Sequence, residues 1–197
     1  LPDGRIVLGR LYGDTPRSHG DLRVRLAGSA DQILPTRRGV RTISTGDVDG
    51  DGNSDLVVGT PYSDSGGGQT GSLWTCFLDA TGAVMGQAEL RGVDIGAQAG
   101  EALGAALAQA AGDWTGGRPG VLVGSPTGGD SSAGAIRVLA LDGGGGVSES
   151  HLIDGANGGL SGPLAAGDGL GFGLAAGGDT DGDGLSELLV GAPGDDG

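Results

Sequence analysis

The sequence predicts an all-β chain made of repeated four-stranded units, and three observations carry that prediction. Glycine is the first: 47 of the 197 residues are Gly, about three times the average share, so tight turns are frequent. Hydrophobic residues still reach 37% and no Gly-X-Y period runs through the chain, which excludes collagen and plain disorder. The second is a series of short Val/Leu/Ile runs between those turns, with no sustained 3.6-residue apolar period. The third is self-similarity at a long spacing. Three segments line up, opening at Asp47, Asp113 and Asp179, each 66 residues after the one before. They read Asp47-Val-Asp-Gly-Asp-Gly-Asn-Ser-Asp-Leu-Val-Val-Gly-Thr-Pro61, a shortened version from Asp113 to Pro126, and Asp179-Thr-Asp-Gly-Asp-Gly-Leu-Ser-Glu-Leu-Leu-Val-Gly-Ala-Pro193.

The flanks supply the remaining strands. Ahead of each Asp stands a Gly-containing pair, Arg38-Gly39, Leu103-Gly104 and Phe172-Gly173, which marks an inner strand in each unit. Apolar runs at 56–58, 121–123 and 188–190 form the next strand. A turn then leads to Leu73, Thr75 and Phe77, or to Ile136, Val138 and Ala140, which alternate as the residues of one strand face do. Residues 6–9 and 20–26 repeat the later parts of this pattern. Residues 101–111 are rich in Ala; they read as an inner strand, with a short helix as the rival. The units predicted are therefore 1–37 (partial), 38–99, 100–164 and 165–197 (partial). Four strands per unit at this period mean blades of a β-propeller or a stacked array, about three blades here, because one unit cannot cover both of its faces alone.

Charge narrows the partners. Eleven basic residues against 25 acidic ones give a net charge of −14, which repels nucleic acid and anionic membranes and favours cations. All the basic residues are Arg, as a GC-rich bacterial genome would produce. No apolar segment has membrane-spanning length. The single Cys76 excludes an intramolecular disulfide. A chain opening on Leu1-Pro2-Asp3 reads as a cut piece, so the missing leader decides nothing about secretion.

The acidic loops carry the chemistry. Asp47, Asp49, Asp51 and Asp55 stand at loop positions one, three, five and nine, with the Asn53 carbonyl available at position seven. Asp179, Asp181, Asp183 and Glu187 repeat the spacing, with the Leu185 carbonyl in the corresponding place. Ca²⁺ takes six to eight oxygens at about 2.3–2.6 Å, and alternate residues of a curled loop aim such oxygens inward. Glycines at positions four and six permit the curl. Two calcium sites are expected, and none in the middle copy, where Thr115, Gly117 and Gly120 carry no charge. An EF-hand needs Glu at position twelve and flanking helices; position twelve here is Val58 or Val190, inside an apolar run, so the loop joins two β-strands.

Phe-Gly, then Asp-x-Asp-Gly-Asp-Gly-x-x-Asp/Glu-Leu-x-Val-Gly-x-Pro, resembles the FG-GAP repeat of integrin α-subunit propellers and many bacterial surface proteins. The copy from Phe172 to Pro193 is the nearest to that pattern. The resemblance implies a seven-bladed propeller whose hairpin loops hold structural calcium, here on the residues just named. The first two copies lack the Phe and the middle loop lacks its acids. About three blades do not close a ring, so further blades come from a longer chain or another copy.

No catalytic constellation stands out. His19 and His151 lie in polar turn-rich stretches, Cys76 reads as a core residue, and the Gly-x-Gly-x-x-Gly match at 66–71 precedes a strand, so it is a hairpin turn. The expected function is a non-enzymatic, calcium-binding adhesion or protein-binding module, extracellular, secreted or at the cell surface. Its ligand contacts would come from loops on the face away from calcium. A carbohydrate-binding propeller, with Trp114 and Tyr62 as the stacking candidates, and a non-catalytic part of a secreted hydrolase are the alternatives.

Overall fold

The computed structural model describes residues 22–24, 32–34, 39–110, 120–184 and 186–196. Among these, β1 (Leu22–Val24) and β2 (Gln32–Leu34) pair with each other. β3 (Thr42–Gly46), β4 (Asp55–Thr60), β5 (Ser72–Leu78) and β6 (Val84–Arg91) form the first four-stranded sheet. β7 (Ala106–Ala110), β8 (Gly120–Ser125), β9 (Ala135–Leu141) and β10 (Val147–Ile153) form the second. β11 (Gly173–Ala176) and β12 (Leu188–Gly191) make a two-stranded sheet. Every pairing is antiparallel between sequence neighbours. The expected β-class is therefore observed, as blades of a propeller that does not close.

Stacking explains why the middle strands are apolar at almost every position. β4 and β8 are buried along their whole length, because each sheet is covered on both faces. Leu56 and Val58 point to one side, with Cys76 and Leu78. Val57 points to the other, where with Leu73 of the same sheet it joins Val121, Val123, Leu139 and Leu141 across the gap between the two four-stranded sheets. Leu122 and Val138 leave the second sheet on its far side, toward Leu174, Ala176 and Leu188 of the third. Period-two alternation survives, with both phases apolar.

Within the Ala-rich segment 101–111, Ala106–Ala110 is a strand, 101–105 form its turn-like lead-in and Ala111 lies outside the described residues. Ala108 and Ala110 of β7 pack with β11, and β3 lies on its other flank. Small side chains let the three inner strands approach, and this packing overrides the helix preference of Ala. The outer strands differ: β10 is largely exposed and carries Glu149 and His151, charged or polar groups that discourage further edge pairing.

What fixes one sheet on the next is a backbone crossing. The lead-in to β7 passes over β4 so closely that a Cβ on Gly59 would sit 2.1 Å from the Gly104 carbonyl oxygen. One unit on, a Cβ on Gly124 would sit 2.0 Å from the Gly171 carbonyl oxygen. Parallel bridges Gly71–Leu103 and Gly134–Leu170 accompany the two crossings. A buried ion pair pins the same lead-in, Arg137 Nη1 donating to Glu101 Oε2 at 2.9 Å.

These contacts correct the alignment of the flanks. Backbone N–H groups of Arg41, Ala105 and Phe172 donate to the carbonyls of Gly59, Gly124 and Gly191 respectively, so these three residues are equivalent. Phe172-Gly173 thus matches Arg41-Thr42 and Ala105-Ala106, and the partner of Leu103-Gly104 is Leu170-Gly171. The regular 66-residue spacing conceals this, because the stretch from inner strand to Asp differs in length among the copies. The opening segment 6–9, most of 20–26, His19, Arg38 and the loop from 111 to 119, with Asp113 and Trp114, lie outside the described residues.

Substituting Gly59 or Gly124 with Ala is expected to lower unfolding free energy by about 1–3 kcal/mol or more, the usual cost of overpacking. Gly191→Ala is expected to change it by less than about 0.5 kcal/mol, the surface norm, since the atoms nearest an added Cβ there are 3.5 Å away. Denaturant unfolding of the three variants checks this.

Candidate metal centre

Both acidic loops are hairpin connections between the first two strands of a sheet, 47–54 joining β3 to β4 and 177–187 joining β11 to β12. They curl by the same hydrogen bonds in the same register. Asp47 Oδ1 accepts from the Gly50 and Asp51 N–H groups at 2.7 and 3.1 Å, and Oδ2 from Gly52 at 2.9 Å. Asp179 accepts from Gly182 at 2.6 Å and from Gly184 at 3.0 Å. Position three caps position five in each, Asp49 to the Asp51 N–H and Asp181 to the Asp183 N–H, both 3.1 Å. Gly50, Gly52, Gly182 and Gly184 have φ between +82° and +92°, a region that other residues enter at a cost.

Position nine closes the loop onto the sheet. Asp55 is 1% exposed; its Oδ2 accepts from the Val48 N–H at 3.1 Å and its Oδ1 from the Leu78 N–H of β5 at 2.9 Å. Glu187 repeats the contact to position two, Oε2 accepting from the backbone N–H and hydroxyl of Thr180. Position two was not singled out from the sequence, because the group that acts there is a backbone N–H that any residue but Pro provides.

The curl brings carboxylates together. One oxygen from each of Asp179, Asp181, Asp183 and Glu187 falls within 4.8 Å of the others, and the same holds for Asp47, Asp49 and Asp55. Asp51 stands apart from the first group, its two oxygens accepting from the Asn53 backbone at 2.7 Å and side-chain amide at 2.9 Å. Leu185 lies outside the described residues. The first group is half-buried to buried and the second largely exposed.

Environment separates the acids. Burial pushes the Asp55 carboxyl up, against its two backbone donors and with help from Asp49 and Asp51. Hydrogen bonds from Asn53 hold Asp51 down, and those from Thr180 hold Glu187 down. A raised carboxyl in the folded state stabilises the fold below its ordinary range and loses that contribution as pH rises through the shifted value. At neutral pH the ionised Asp55 carboxylate is therefore held at a cost that comes first from its burial. Burial, with Asp55 nearby, also pushes the Cys76 thiol up to about 12.

An open stack of antiparallel four-stranded blades with an acidic loop in the first hairpin is a β-propeller repeat architecture. Residues 39–76 match the family model described as FG-GAP repeat. The matched span runs through β3, the whole first loop, β4 and β5 as far as Cys76. The second loop lies outside it. No curated protein matches the chain.

Two outcomes follow. Asp55→Ala leaves two buried N–H groups unpaired and is expected to cost about 1–3 kcal/mol even in chelator, while Asp49→Ala leaves stability in chelator unchanged or slightly raised; paired denaturant titrations separate them. Cys76 is expected to react with a thiol reagent at pH 8 about a thousandfold more slowly before unfolding than after, as a stopped-flow assay in and out of denaturant shows.

Proposed function

We propose that this chain is a calcium-binding FG-GAP β-propeller segment that serves as an extracellular adhesion or protein-binding module, without catalytic activity. The observation that supports it is the repetition of one acidic curl in two hairpins, with converging carboxylates in both. Carboxylates at such separations repel one another unless a cation is shared. An all-oxygen donor set suits a hard cation, and several protein ligands in a flexible loop suit Ca²⁺ better than Mg²⁺, which keeps most of its waters.

Asp47, Asp49, Asp51 and Asp55 with the Asn53 carbonyl would hold the first ion; Asp51, which faces Asn53, is the member that has to reorient. Asp179, Asp181, Asp183 and Glu187 with the Leu185 carbonyl would hold the second. The ion supplies charge neutralisation and stiffness. Open loops of this kind fit extracellular calcium, where modules bind with Kd of about 10⁻⁴–10⁻³ M. No helix among the described residues is long and apolar enough to cross a membrane. We read 1–197 as one partial propeller, with units at 1–37, 38–99, 100–164 and 165–197, its ring completed by blades from a longer chain or another copy.

Thermal unfolding in millimolar calcium against chelator tests the reading. Each site should add about 2.7 kcal/mol at a hundredfold its Kd, and Asp49→Ala with Asp181→Ala should remove the gain. Identical melting in calcium and chelator would mean the loops are solvated turns.

A further inference from the structure

The end of the sheets opposite the acidic loops is concave. β4 runs from Asp55, inside the first loop, to Thr60, and Pro61 follows at the far end. There Pro61, Pro126 and Pro193, one from each Gly-x-Pro, converge with Arg41, Tyr62 and Phe172 around a cleft of about 600 Å³. Arg41 and Phe172 hold equivalent places in their units, each donating its backbone N–H to the glycine of that unit's Gly-x-Pro. Repetition itself therefore brings them to one rim.

We infer that this cleft docks an acidic segment of a partner protein, with Arg41 as the carboxylate-binding group; the proposal rests on the protein-binding reading and names the chemistry of its ligand. Charge is the first argument. The other two arginines with described side chains are paired, Arg91 with Asp94 at 2.7 Å and Arg137 with Glu101 at 2.9 Å. Arg41 faces no carboxylate among the described residues: its guanidinium lies 5.4 Å from the Phe172 ring centroid, and Nη1 donates to Tyr62 Oη at 3.4 Å. In a chain of net charge −14, a guanidinium that meets no acid among the described residues is suited to take one from outside, through donors other than the one that faces Tyr62.

Preorganisation is the second. The aromatic face and the phenol hold the guanidinium over the cleft, so less side-chain freedom is lost when a ligand binds. Tyr62 and Phe172 are half exposed, at 50% and 51%, and Tyr with Arg in a concave site is the composition of interface hot spots. A sugar is the weaker fit, because the Phe172 face lies under Arg41, which leaves Tyr62 as the free stacking platform in this group.

The test follows the Arg41 side-chain Nε–H resonance of the full chain in calcium, titrated with an acetylated, amidated Gly-Ser-Glu-Ser-Gly peptide and its Gln counterpart. The Glu peptide is expected to shift that resonance, with the Gln peptide and the Arg41→Gln variant each at least about tenfold weaker, the loss of one charge-assisted contact. Arg41→Gln should melt as the parent does, since the residue is exposed. No shift at millimolar peptide, an equal response to the Gln peptide, or displacement by a galacturonate trimer at concentrations below those at which the peptide binds would overturn the proposal. The same sample's melting with and without calcium keeps the two readings apart: a calcium gain without peptide binding sinks the cleft alone.

Discussion

Two backbone segments cross with no space for a side chain between them, and the rest of the structure depends on that contact. Gly59 meets Gly104 and Gly124 meets Gly171, so the lead-in to each sheet is laid across the second strand of the sheet before it. The crossing sets the separation over which Val57, Leu73, Val121 and Leu139 can interdigitate. It also brings β3, β7 and β11 side by side, which is why small residues serve in β7. Glu101 sits just ahead of one crossing and Asp168 just ahead of the next, both buried, and each carboxylate also accepts a backbone N–H in its own turn, from Gln98 and Ala165.

Strand β4 links the two ends of the unit. At its start Asp55 ties the acidic loop to the β5 backbone; in its middle Gly59 carries the crossing; beyond its end Pro61 and Tyr62 line the cleft. A cation at the first loop would therefore stiffen a strand that also positions the opposite face. The following sheet presses on that loop as well: Gly143, in the β9–β10 turn, lies beside Asp49, and the Gln109 carboxamide fills the space a Cβ on Gly46 would need. The second loop has no such neighbour among the described residues and is correspondingly more exposed.

Much of this was legible in the residues. Strand class, hairpin placement of the acidic loops and burial of Cys76 followed from alternation, Gly positions and the apolar run after each loop. The register of the inner strands was not, since the length between inner strand and Asp varies and only the carbonyls of Gly59, Gly124 and Gly191 reveal which residues are equivalent. Nor was the separate orientation of Asp51, which depends on competition between a neighbouring amide and the cluster. The pairing of Arg41 with Phe172 brings together residues far apart in sequence, a consequence of the sheet stacking that periodicity within one unit does not contain.

Titration calorimetry counts the calcium ions each chain binds. Saturation is expected at two ions, falling to one in Asp49→Ala or Asp181→Ala and to none in the double variant. A titration that never saturates, or a count unchanged by those substitutions, would contradict that expectation.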